Sequence, residues 1–189
     1  MTDYAAARLN MVESQIRANN VTDPPVVDAF MSVPREMFVP KTMRGVAYVD
    51  EDLSLGDGRY LIEPMVLARL VQLGQVGPED LVLDIGSATG TLVAGTFATC
   101  LSAAVVGVEA DEQMVQAATA NLGQLGIDNA VFVRGPLEAG YAKQAPYNVI
   151  IFQGAIDAVP PAIADQLAEG GRLVAVVRQP RGMGLGTLF

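Results

Sequence analysis

The chain has 189 residues and a mass of 19.9 kDa, enough for one domain that buries roughly two-thirds of its unfolded surface without disulfide or metal staples. It is 51% hydrophobic and 17% charged, which fits a globular chain, and its 12 Lys+Arg against 21 Asp+Glu give a net charge of -9 that disfavours nucleic-acid and anionic-membrane partners. It has no His and one Cys, which excludes a His general base, Ser-His-Asp and Cys-His nucleophile systems, His- or thiolate-ligated metals and an intrachain disulfide.

Residues 4–19 carry a helical pattern, with Asp3 placed to cap it and Leu9, Val12 and Ile16 on one face; Asn19-Asn20 suits the stop. Asp23 followed by Pro24 predicts a second helix running to about Ser32, because Pro34 turns Val33 away from helix. Residues 33–63, with Pro34, Pro40, Gly45, Gly56, Gly58 and the acidic run Asp50-Glu51-Asp52, read as an ordered loop region with one or two short strands or turns. Pro64 opens a helix with Met65, Leu67, Leu70, Val71 and Leu73 as its apolar face, closed by Gly74 and Gly77-Pro78.

From there helices alternate with apolar strands. Leu81 to Leu83 is a strand ending at Asp84-Ile85-Gly86, followed by a small-residue helix over about 89–101 that holds Cys100 as packing. Val105 to Val108 ends at Glu109, and a helix covers 111–124. Val131 to Val133 and Val149 to Phe152 are the next strands. Pro160-Pro161 opens a helix to about Ala168, Gly170-Gly171 is a turn, Leu173 to Val177 is a fifth strand, and Leu185 to Phe189 supplies one more short one. Continuously apolar strands between helices predict a doubly wound, mostly parallel α/β sheet. Arg172 and Arg178, flanking the fifth strand, read as surface ion-pair partners. No run of about 18 apolar residues occurs, and MTDYAAARLN lacks the basic and apolar blocks of a secretory signal, so a cytoplasmic location is expected.

The chemistry concentrates in Val82-Leu83-Asp84-Ile85-Gly86-Ser87-Ala88-Thr89-Gly90, a Gly-rich turn between the first parallel strand and a helix, where open α/β sheets bind ligands. Glycine lets the backbone approach a ligand, and a helix N-terminus offers N–H groups. Glu109, 25 positions after Asp84 at the next strand end, is placed to accept both hydroxyls of a ribose, so an adenosine-containing cofactor is expected. The early Gly-x-Gly pair of a nicotinamide site is absent, as is the Gly-Lys-Ser/Thr of a P-loop. Asp84 repels a pyrophosphate and suits a cationic ligand such as S-adenosylmethionine. Between Asp80 and Gly170 stand two basic residues, Arg134 and Lys143, and ten acidic ones.

At this point a family resemblance emerges, over about residues 8–177. Met11-Val12, Gln15-Ile16, Val33-Pro34-Arg35-Glu36, Phe38-Val39-Pro40, Ala47-Tyr48, Asp50, Leu55-Gly56, Gly58, Pro64, Asp84-Ile85-Gly86 to Gly90, Ala145-Pro146-Tyr147, Ile150-Ile151 and Leu167 to Leu173 resemble the protein-L-isoaspartate O-methyltransferases. The resemblance implies a seven-stranded S-adenosylmethionine-dependent methyltransferase fold of sheet order 3-2-1-4-5-7-6, with methyl transfer to the α-carboxylate of isoaspartyl residues in damaged protein. That chemistry suits a chain without His. A carboxylate is already ionised at neutral pH and needs no general base, so the protein's task is orientation.

The chain departs from the family pattern in four places. Where the family carries Gln-Thr-Ile-Ser, this chain reads Arg59-Tyr60-Leu61-Ile62; the Ser role falls on Ile62, which cannot donate a hydrogen bond, while Arg59 and Tyr60 are candidates to bind a carboxylate instead. Solvation is the competing reading for Arg59, and packing the competing one for Ile62. Gly135-Pro136-Leu137 replaces Gly-Asp-Gly, so Pro136 offers no acceptor to an adenine amine, leaving a backbone carbonyl or Glu138. Ala88 replaces a middle Gly, tolerable at negative φ. The chain ends before the family's seventh strand, so either the sequence is a fragment or one edge of the sheet is altered, and a fifth strand left uncovered would be an aggregation or swapping liability.

The expected cofactor site is Asp84, Gly86, Ser87, Ala88, Gly90, Glu109, Ala110, Gly135, Pro136, Leu137 and Gln153; the expected acceptor side is Arg59, Tyr60 and Ile62, with no metal. Residues 1–75 are expected to form a helical and loop region over the acceptor side, and 76–189 a Rossmann-like S-adenosylmethionine-binding domain. Three functions stay open: carboxyl methylation of isoaspartyl protein or peptide or of a small carboxylate, methylation of a different small-molecule acceptor, and a non-catalytic cofactor-binding or regulatory role.

Overall fold

The computed structural model describes residues 3–90 and 102–189. The helix expected over about 89–101, and Cys100 with it, lies from residue 91 onward outside the described residues.

Helix α1 (Tyr4–Met11) starts where Asp3 accepts a 3.0 Å hydrogen bond from the Ala6 N–H. It continues through a π-helical turn (Val12–Ile16) and a 3-10 turn (Arg17–Asn19), and Asn20 stops it at φ 63. The sequence-predicted helix over 4–19 is therefore present, its second half wound off α geometry. Helix α2 (Pro24–Ser32) ends at extended Val33, as Pro34 requires. Two 3-10 turns (Arg35–Phe38 and Lys41–Val46) lead into a hairpin of β1 (Leu53–Gly56) and β2 (Arg59–Leu61). Helix α3 (Pro64–Gly74) ends with Gly74 still helical and Gln75 taking the left-handed φ of 45; a side chain on Gly74 would crowd Val174, 3.1 Å from where a Cβ would stand.

Asp52 accepts from the Glu63 N–H (2.9 Å) and Asp50 from the Met65 N–H (3.3 Å), so the acidic run caps the start of α3. The same geometry penalises Glu63. Its carboxyl pKa is raised, first by partial burial and then by Asp50, Asp52 and Glu51. A carboxyl whose folded pKa exceeds its unfolded one costs stability when ionised, and the cost vanishes as pH falls below the unfolded value. Thermal melts of Glu63→Gln should show a higher Tm than the parent at neutral pH, with the gain fading toward pH 4; a lower Tm at neutral pH would assign the carboxylate a stabilising contact instead.

The remaining strands are β3 (Leu81–Ile85), β4 (Ala104–Glu109), β5 (Ala130–Arg134), β6 (Tyr147–Ile156), β7 (Leu167–Val177) and β8 (Leu185–Leu188), with α4 (Glu112–Leu125) and the one-turn α5 (Pro161–Ala164) between them. They form a six-stranded sheet of order β5-β4-β3-β6-β7-β8, parallel except for β8, which runs antiparallel to β7. The doubly wound class is as expected. The short strand expected over Leu185 to Phe189 is β8, whose Leu185 through Leu188 pair with Val177 through Val174, so the fifth strand is not left uncovered. The helix expected from Pro160 to about Ala168 stops early. The Gln166 carbonyl is captured by the Tyr147 N–H (2.8 Å), and its side-chain amide donates to Ala139 and Ala162 carbonyls (both 2.7 Å), so Leu167 enters the sheet. The expected Gly170-Gly171 turn is an irregularity within β7, where one β6 residue, Asn148, stands between paired positions against four of β7, 168–171.

Strand residues alternate between two cores. Val82, Val105, Val149, Ile151 and Val174 pack with the N-terminal helices, while Leu83, Ile85, Val106, Val108, Ile150 and Leu173 pack on the opposite face. Arg172 pairs with Asp80 and also donates to the Gly74 and Gln75 carbonyls, and Arg178 pairs with Asp157, as expected of the two flanking arginines.

Candidate active site

The carboxyl ends of β3, β4 and β6 meet at one crevice. Asp84 is fully buried, and the Gln153 amide nitrogen reaches both of its carboxylate oxygens at 2.7 Å, tying β3 to β6. Gly86 turns the chain at φ 82. The Gly86 and Ser87 N–H groups do not point free, as the sequence suggested: both donate to the Val108 carbonyl (2.9 and 3.2 Å), because the turn folds back onto the end of β4. The Ser87 hydroxyl donates to the Asp84 carbonyl at 2.9 Å.

Ala88 takes φ 49, not the negative φ expected of it. The left-handed conformation costs an alanine roughly 1–2 kcal/mol. It aims the Ala88 N–H at Glu109 Oε2, 2.7 Å away. Gly90 (φ 79) faces α4: a Cβ there would lie 2.5 Å from the Ala118 Cα, so helix packing demands this glycine.

Glu109, only 1% exposed at the end of β4, organises the site. Oε1 accepts from the Ala110 (2.7 Å) and Asp111 (3.2 Å) N–H groups, and Oε2 from Ala88 and from the Arg59 guanidinium (2.5 Å). Arg59 comes from the distant β1–β2 hairpin, and its side chain is 25% exposed. The solvated-cation reading is overturned, because the guanidinium packs over Gly86, with Nη2 3.3 Å from where a Cβ would stand.

A cleft of about 300 Å³ opens here, lined by Arg59, Ile85, Gly86, Leu137, Glu138, Phe152 and Gln153, and by Gly154 to Ile156 and Pro160. That volume lies at the small end of ligand pockets. Gly135 donates to the Glu109 carbonyl at 3.0 Å, which brings the Pro136-Leu137 turn alongside; Pro136 itself is exposed. On the acceptor side the expected residues separate. Tyr60 is 53% exposed and does not line the cleft, and Ile62 is 8% exposed with its side chain in the core, as the packing reading holds.

Three participants carry no cofactor-type signal in the sequence. Arg35 is fully buried and donates to the Ala47 (2.7 Å) and Ile62 (2.6 Å) carbonyls. The Thr89 hydroxyl donates to the Phe38 carbonyl (2.6 Å), joining the glycine turn to the proline-rich loop, and Asn121 donates to the Thr89 carbonyl (3.0 Å). Arg35 stands in Val33-Pro34-Arg35-Glu36, a motif without an assigned role, and Thr89 in the glycine turn, where its hydroxyl has none; nothing marks Asn121.

The donor set fits an adenosine ligand bearing a cation: a buried carboxylate at the end of β4, a second at the end of β3, and a side-chain-free floor between them. Among the described residues no cluster of His, Cys, Asp or Glu suits a metal ion, and no helix is long and apolar enough to cross a membrane.

Residues 7–184 match the family model described as Protein-L-isoaspartate(D-aspartate) O-methyltransferase (PCMT). A Protein-L-isoaspartate O-methyltransferase of Koribacter versatilis is 35% identical over 180 residues, 95% of this chain and 80% of that protein. One from Methylorubrum populi is 37% identical over 186 residues, 98% and 85% of the two chains. A solved protein-L-isoaspartate O-methyltransferase superposes with a TM-score of 0.77 at 28% identity, over 90% of this chain and 55% of that one. A solved Plasmodium falciparum protein, described as a putative member in complex with S-adenosyl-L-homocysteine, superposes with a TM-score of 0.78 over 100% and 95% of the two chains; at 16% identity it supports the fold alone.

Proposed function

The chain belongs to the protein-L-isoaspartate(D-aspartate) O-methyltransferase family, and on that premise we propose that it transfers a methyl group from S-adenosylmethionine to the α-carboxylate of isoaspartyl residues in damaged protein or peptide. The observation that carries this reading is Glu109, a buried carboxylate at the end of β4 held beside the Gly86 turn. Glu109 is the candidate ribose acceptor, with Gly86 as the floor beneath the cofactor. Asp84, fixed by Gln153, supplies negative potential for a cationic ligand. Leu137 and Phe152 give the cleft apolar walls, and Glu138, which lines the same cleft, is the acceptor side chain nearest in sequence to Pro136.

S-adenosylmethionine supplies an already activated methyl group. The residues of this chain therefore need only bind, orient and exclude water. No proton has to leave the acceptor, which fits a chain without His. Arg59 is the candidate partner of the acceptor carboxylate, in the loop where the family serine is replaced by buried Ile62.

The test is a calorimetric titration with S-adenosylhomocysteine followed by a methyl-transfer assay on an isoaspartyl peptide and its aspartyl counterpart. Micromolar binding with transfer to the isoaspartyl peptide alone supports the reading. Binding without transfer to either peptide points to a changed acceptor, and no binding by folded protein rejects the cofactor assignment.

A further inference from the structure

We propose that Arg59 is a positioning residue that exchanges between two carboxylates: the cofactor ribose displaces it from Glu109, and its released guanidinium then receives the acceptor carboxylate. The inference rests on the cofactor and acceptor reading above and adds an order to it, cofactor before acceptor.

The starting point is saturation. A carboxylate offers about four lone-pair directions. At Glu109 all four are used, by the N–H groups of Ala88, Ala110 and Asp111 and by Arg59. A ribose hydroxyl that donates to this carboxylate must therefore take the place of one of them. The three N–H groups belong to the main chain of the glycine turn and of the segment from β4 to the start of α4, so they move only with the backbone. Arg59 alone arrives on a long side chain, from a two-stranded hairpin outside the main sheet.

Arg59 is also poorly satisfied where it stands. Of its five donors, one hydrogen bond goes to Glu109, and its Nε is buried without a partner. An unpaired buried donor costs free energy, so a second carboxylate offering a two-pronged contact competes well for it. The guanidinium lies over Gly86, on the floor that a cofactor would cover. Arg59 is moreover the one cation among the described residues that line the cleft. A ligand entering beside Glu109 thus displaces the group that an anionic acceptor requires, and the arginine stem keeps that group at the cleft mouth.

The experiment uses the full chain and Arg59→Gln, with S-adenosylhomocysteine and an isoaspartyl peptide as separate calorimetric probes. Removing the competitor should tighten S-adenosylhomocysteine binding roughly two- to fivefold, the scale of a partly exposed ion pair, with a smaller gap at high salt. The parent should bind the peptide more tightly when S-adenosylhomocysteine is present, and Arg59→Gln should lose that enhancement. Arg59→Lys, which keeps the charge without the fork, should retain part of it. Weaker S-adenosylhomocysteine binding by Arg59→Gln would make Arg59 a direct cofactor contact and overturn the exchange, as would peptide affinity in the parent that ignores S-adenosylhomocysteine. Failure of both folded proteins to bind S-adenosylhomocysteine overturns the underlying cofactor reading itself, a result distinguishable from either of those.

Discussion

Glu109→Ala should weaken S-adenosylhomocysteine binding by roughly 1–3 kcal/mol, about 5- to 150-fold, the cost of losing a charge-assisted hydrogen bond. The substitution removes more than a ligand contact. Ala88, Ala110 and Asp111 lose the acceptor of their N–H groups, and Arg59 loses the ion-pair partner it has among the described residues. A fall in Tm should therefore accompany the fall in affinity. Glu109→Gln separates the two effects, since it keeps one acceptor oxygen in place but removes the charge. Its Tm should lie nearer the parent while its affinity stays low. Calorimetry and thermal melts on the three proteins read both quantities. Unchanged affinity in a folded Glu109→Ala would place the ribose elsewhere in the cleft.

Much of this site was legible in the chain because the signals were local. Apolar strands separated by helices dictate the parallel sheet, and a carboxylate at the end of the second strand must stand beside the glycine turn of the first. That reasoning places Asp84, Gly86 and Glu109 side by side at the strand ends, as the structure does. It could not find partners brought together across long separations. Arg59 meets Glu109 over 50 positions, and no periodicity connects a hairpin to a strand end. It did not foresee what occupies the turn N–H groups or what crowds Gly90. A glycine in a loop signals close approach without saying to what, and at Gly90 it is Ala118 in α4 that stands where a Cβ would. The short α5 escaped because Gln166 stops the helix through tertiary bonds to Ala139 and Tyr147, which helix propensity does not contain. Ala88 shows the limit at a single residue: its positive φ is set by the carboxylate it binds, against its own preference.

Arg35→Met should lower stability by about 2–4 kcal/mol, a drop of roughly 5–12 °C in Tm for a chain of this size. Arg35 is 0% exposed, and burial lowers its pKa to about 10, with Tyr48, Asp52 and Asp50 pulling it back upward. It is still charged at neutral pH, so the fold carries a buried cation. Methionine relieves that desolvation and keeps most of the volume, which favours the variant. Against it stand the Ala47 and Ile62 carbonyls, both left without a donor in the interior. Two unsatisfied acceptors at about 1–3 kcal/mol each outweigh the relief. Arg35→Lys should fall between, because an ammonium cannot span two carbonyls with the reach of a guanidinium. The consequence extends to the cleft. Ile62 lies just beyond β2, three residues after Arg59, so the Arg35 bond to its carbonyl anchors the strand that delivers Arg59 to Glu109. Limited proteolysis of Arg35→Met should accordingly cut earlier within residues 47–62 than in the parent. An unchanged Tm and digestion pattern would show that apolar packing alone holds this loop, and that the buried cation contributes neither to the fold nor to the placement of Arg59.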